Sequence, residues 1–96
     1  MNALLCHAMY DMASIEHDLH GRAWLAMQDN FIEDETAYGE AAKAVKSVAY
    51  ALADARHDGD EELAMRDLYE LAARLTTEFR YDKLMTVYNR LAMVPA

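Results

Sequence analysis

Four histidines, one cysteine and 17 carboxylates are the groups in this 96-residue chain with metal-binding or proton-transfer chemistry to offer. His17 and His20 stand three residues apart and Glu16 lies four before His20, so on a helix two ligands share one face. A closed zinc site needs two more ligands at a recognisable spacing. His7, ten residues before His17 and about 15 Å up a helix axis, is too far to supply one. Asp54 and His57 repeat the three-residue spacing beside Asp58, where a histidine near a helix C-terminus has an ordinary electrostatic reason to stand. Di-iron and di-manganese helical proteins use Glu-x-x-His from each of two helices plus further carboxylates, a set this chain lacks. The expectation is therefore no bound metal, with the histidines on the surface or near helix ends. Cys6 has no second cysteine to pair with and no cation close in sequence to lower its pKa, so it reads as a small buried hydrophobe.

Catalytic patterns fare no better. There is no Gly-rich phosphate loop, no Gly-x-Ser-x-Gly elbow and no Cys-His pair with an orienting group. All-helical nucleotide pyrophosphatases hold metal on pairs of Glu-x-x-Glu. Here Glu61 and Glu62 are followed three residues on by Ala64 and Met65, and Glu70 by Ala73. The sequence predicts a protein that is not an enzyme, with no catalytic residue and no cofactor.

The elements that position these groups are helical. Hydrophobic residues make up 54% of the chain, enough for a single folded domain over 1–96. Eighteen alanines and seven methionines, against three glycines and one proline, favour helix, and no period-two alternation marks a strand. The expected fold is all-α: a small antiparallel helical bundle of three long helices with a short fourth, over about 2–28, 35–57, 60–78 and 82–93. The alternative is one long bent helix from 60 to 92. In the first helix Leu5, Ala8, Met12, Ile15 and Leu19 form one stripe. Cys6, Tyr10, Ala13, His17 and Trp24 form a second that widens the apolar face, and Gly21 is a candidate break or kink. Residues 28–34 read as the connection, with Phe31 and Ile32 turned inward as an anchor. Tyr38, Ala41, Val45, Val48, Leu52 and Ala55 line the second helix. His57-Asp58-Gly59-Asp60 is the sharpest boundary, with Gly59 suited to a left-handed C-terminal position and Asp58 or Asp60 to a cap. Ala64, Leu68, Leu71 and Leu75 line the third helix. The phase then slips to Tyr81, Leu84, Tyr88 and Leu91, which predicts a break with Asp82 as cap.

The net charge of −8 is unevenly spread. Residues 1–42 hold eight acids and one base, Arg22, whereas 43–96 hold nine acids and eight bases. The densest part carries Asp29, Glu33, Asp34, Glu35 and Glu40 with no base among them. Acids in a first helical turn complement the helix dipole, which explains part of this cluster. The remainder suits an acidic docking surface for a basic patch on a protein partner. Tyr10, Trp24, Tyr50 and Tyr69 lie off the buried stripes, where amphipathic rings serve as interface residues. Arg66, Arg74, Arg80, Lys83 and Arg90 are interleaved with Glu70, Glu78 and Asp82 rather than clustered, so direct contact with nucleic acid is not expected. The N-terminus lacks a basic region before Asp11 and no apolar run approaches about 18 residues, which predicts a cytoplasmic protein without a membrane span.

These features predict a non-enzymatic acidic helical protein-binding module, a regulator or inhibitor that docks on a basic surface. Comparable size and charge occur among phage and mobile-element antagonists of host nucleic-acid machinery. Two alternatives compete: a homodimeric structural or accessory subunit sealed through the first helix, and a small transcriptional regulator that touches DNA.

Overall fold

Alanine-rich stretches with apolar residues at threes and fours fold as helices because that spacing brings one stripe to one face. The computed structural model describes residues 3–58 and 61–93, with side chains over 4–55 and 61–93. It contains α1 (Ala3–Gln28), α2 (Ile32–Asp58), α3 (Glu61–Phe79) and α4 (Lys83–Ala92), and no strand among the described residues. Helix α1 packs along α2 and against α4, while α3 packs against α2 and α4. Tyr81, just before α4, meets Asp18 of α1, and Arg90 near its end meets Asp11, so α4 runs opposite to α1. The molecule measures 47 × 22 × 20 Å, its long axis set by α1 and α2, each about 40 Å at ~1.5 Å per residue.

The inward stripes supply the core. Met12, Leu19, Val45, Leu68, Leu75 and Leu84 are fully enclosed, and no polar or charged side chain is buried among the described residues. Each large aliphatic group so enclosed contributes about 1.5–3 kcal/mol. The second stripe expected on α1 does not join this core. Cys6, Tyr10, Ala13, His17 and Trp24 are exposed, because α2 and α4 both bear on the single stripe through Ala8, Met12, Ile15 and Leu19. Cys6 is thus an exposed thiol rather than a buried hydrophobe. Helix α1 also continues through Gly21 without a break. A Cβ added there, or at Gly39 in α2, would meet nothing within 4 Å.

The α1–α2 connection is shorter than the sequence suggests. Asn30 takes a left-handed conformation, φ 63°. Its N–H donates to the Met27 carbonyl at 3.1 Å and the Phe31 N–H to the Ala26 carbonyl at 2.8 Å. This pair of bonds is the Schellman arrangement, and it satisfies the last α1 carbonyls within two residues. Helix α2 can therefore restart at Ile32, three residues before the expected position, and Glu33, Asp34 and Glu35 fall in its first turn. Phe31 and Ile32 are not an inward anchor: both are exposed.

Helices α3 and α4 are separated by residues 80–82. Arg80 is left-handed, φ 54°, and the Tyr81 N–H reaches back to the Leu75 carbonyl at 3.2 Å. Asp82 occupies the position before α4, but its side chain makes no capping hydrogen bond. The turn expected at Gly59 and the caps expected at Asp58 and Asp60 lie outside the described residues.

Candidate functional site

The end of the α1–α2 hairpin inverts the usual order of a helix pair. Its buried positions are Ala23 and Ala26, which continue the Met12–Ile15–Leu19 rhythm with the smallest apolar side chain. Its large apolar side chains face water instead. Trp24 is 54% exposed, Leu25 56%, Met27 46%, Phe31 58% and Ile32 71%. Ala23 and Ala26 stand apart from the contiguous core, which ends at Leu19 on α1. Tyr81 meets α1 at Asp18 and Phe79 stacks on Tyr38 of α2, ring centroids 4.8 Å apart. Arg22 of α1 lies against the Tyr81 ring, and α1 runs six residues past it, about 9 Å, so the hairpin projects beyond the turn that joins α3 to α4.

Acids surround this apolar end. Asp29 lies in the turn and Glu33, Asp34 and Glu35 on the next turn of backbone, with Glu35 the least exposed of the four. Glu40 is exposed two helical turns further along α2. None of the five belongs to an ion pair among the described residues, whose ion pairs are Glu16–His20, Asp18–Arg22 and Asp11–Arg90. Arg22, the one base in residues 1–42, is engaged: its Nε lies 3.6 Å from Asp18 Oδ2, and its guanidinium carbon sits 4.9 Å from the Tyr81 ring centre and 5.9 Å from that of Tyr38.

Behind the projecting end, Tyr81 fastens the α3–α4 turn to α1. Its ring is 3% exposed, and its hydroxyl donates to Asp18 Oδ2 at 2.9 Å. Burial, that hydrogen bond and the negative charge of Asp18 together raise the phenol pKa well above its ordinary value, with Arg22 acting in the opposite direction. Next to this fastening a cleft of about 510 Å³ runs between α1 and α4, lined by Asp11, His17, Asp18, Lys83 and Arg90 among others. One ion pair spans it, Arg90 Nη1 lying 3.5 Å from Asp11 Oδ2. This polar joint escaped the sequence reading because its partners are 63 residues apart.

The four aromatics singled out in sequence are all exposed, yet they do not form one patch. Tyr10 and Trp24 stand about 21 Å apart along α1. Tyr50 lies on α2 with Lys46 6.0 Å from its ring centre, and Tyr69 lies on α3 edge-on to Tyr88 at 5.1 Å. Only Trp24 joins the acidic end. Leu25, Met27, Phe31 and Ile32 were missed there, and the signal for them was Ala23 and Ala26: once alanines hold the inward positions, the larger neighbours must point out. His20 pairs with Glu16 at 3.7 Å, and among the described residues no three His, Cys, Asp or Glu side chains converge. The His57 side chain lies outside the described residues. No helix among the described residues is long and apolar enough to cross a membrane.

Neither the protein-family models, nor the curated proteins, nor the solved structures contain a match to this chain.

Proposed function

We propose that this protein is a non-enzymatic docking module, a small antiparallel helical bundle that regulates or inhibits a protein partner by covering a basic surface of that partner. The observation that carries this reading is the group Asp29, Glu33, Asp34 and Glu35 at the hairpin end, with Glu40 further along α2, none of them in an ion pair among the described residues. Unpaired like charges at a protruding end set up a local field that speeds encounter with a basic partner and selects against acidic ones. The fixed charges on the other face of α1 are already committed, Asp18 to Arg22 and Tyr81, and Asp11 to Arg90.

A labelled lysine homopeptide tests the electrostatic part. Wild-type protein should bind it with an affinity that falls at least tenfold, roughly, between about 0.05 and 0.5 M salt. Neutralising the end with Glu33→Gln, Asp34→Asn and Glu35→Gln should weaken binding by about tenfold, while Glu61→Gln, Glu62→Gln and Glu70→Gln should change it by less than about twofold. Equal effects of the two triple variants would reduce the acidic end to a general solubility feature. A homodimeric accessory subunit is the second reading, favoured by Tyr10, which is 78% exposed on the outer face of α1.

A further inference from the structure

Charge alone does not account for the hairpin end. An acidic surface meant only for solubility or steering has no use for a tryptophan, a phenylalanine and three large aliphatic side chains at its centre. The buried positions at this end are Ala23 and Ala26, and the larger groups stand about half exposed or more beside them. Single exposed apolar residues are ordinary, but five within nine residues concentrate apolar surface at one hairpin end. Trp, Phe and Met at the centre with charged residues at the rim is the arrangement of a protein interface.

We propose that this end is an apolar docking knob for a cationic amphipathic helix of another protein, a refinement that rests on the acidic-docking reading above. In this arrangement Trp24, Phe31 and Ile32 contact the apolar stripe of the incoming helix. Its flanking Lys and Arg side chains meet Asp29, Glu33, Asp34 and Glu35. Such a helix is the smallest surface that carries both complementary features, an apolar stripe with basic margins. Charge excludes the other natural occupants. Two copies of this chain placed end to end would bring Asp29, Glu33, Asp34 and Glu35 of each together, with no base in residues 23–42 to offset them. An anionic membrane would repel the same carboxylates as the apolar groups approached it.

Trp24 is the chain's one tryptophan, so its fluorescence reports on this site directly. The full-length protein is titrated with four probes: a Leu/Lys helical peptide with leucines at i, i+3, i+4 spacing, the same peptide with Glu for Lys, a lysine homopeptide, and phosphatidylglycerol vesicles. The Leu/Lys peptide should shift Trp24 emission to the blue and bind at least about tenfold more tightly than the lysine homopeptide. Phe31→Ser with Ile32→Ser should abolish about nine-tenths or more of that affinity, at unchanged helix content because both side chains face water. Leu25→Ser provides a second variant with the same expectation of direction. Should the lysine homopeptide bind as well as the Leu/Lys peptide, with both variants silent, the knob is overturned while the acidic-docking reading stands. Equal binding of the Leu/Glu peptide overturns both. A Trp24 shift on the vesicles but not on the Leu/Lys peptide, or binding of no probe together with self-association through this end, overturns the knob and its proposed occupant.

Discussion

Tyr81 shows how one side chain can join two halves of a small fold. The residue stands in the middle of the α3–α4 turn, its ring lies beside Arg22, and its hydroxyl reaches Asp18 on α1. At neutral pH Tyr81→Phe should cost about 1 kcal/mol, the worth of one hydrogen bond to a carboxylate that keeps Arg22 as a partner. The pH dependence is more diagnostic. The folded protein holds the phenol proton to a higher pH than the unfolded chain, whose tyrosines titrate near ~10. The contribution of Tyr81 is therefore complete below about pH 10 and is lost as pH rises from there toward the raised folded value. Urea midpoints measured from about pH 9 upward should fall more steeply for wild type than for Tyr81→Phe; parallel curves would mean that the hydrogen bond is absent in solution. None of this was legible in the sequence, where Tyr81 was only the first member of an apolar stripe. A long-range polar contact leaves no local periodicity, whereas the stripe residues Leu68, Leu71 and Leu75 announce their burial through spacing alone.

Among the elements, the helices and most of their ends were legible to within one residue, and the start of α2 was not. The 3–4 rhythm of α1 and α3 is a property of many residues at once and survives individual exceptions. A helix end depends on the conformation of one residue, and Asn30 in the left-handed region moved the start of α2 by three positions. That shift turned Phe31 and Ile32 from expected core into exposed surface, which is why the apolar half of the candidate site went unread while its acidic half was visible. Gly21 misled in a different way, suggesting a break where α1 runs straight through. Because glycine in a helix interior loses more conformational entropy than alanine, and neither Gly21 nor Gly39 has anything within 4 Å of an added Cβ, the alanine variants should stabilise the protein. About 0.5–1 kcal/mol is expected for each, readable as a rise in Tm of a few degrees per substitution. A fall in Tm for either variant would show that its backbone is approached by something in solution.

At the level of the whole molecule the uneven charge and the projecting apolar end act against each other. At neutral pH the carboxylates oppose contact between copies at this end, and the exposed Trp24, Phe31 and Ile32 favour it. Light scattering should therefore report a monomer near pH 7 at low salt and growing association as the pH falls toward 4.7, where the net charge vanishes. A stable dimer at pH 7 with unchanged mass in the Phe31→Ser, Ile32→Ser variant would instead favour the homodimer sealed along the outer face of α1 around Tyr10. The hairpin's construction also separates two kinds of selection. Under the docking proposal, where Ala23 and Ala26 hold the buried positions and the large side chains lie mostly outside, exchanging Trp24, Phe31 or Ile32 would alter what is bound without removing a residue of the main core. Such a surface can follow a changing partner through substitution after substitution while the scaffold that presents it stays intact.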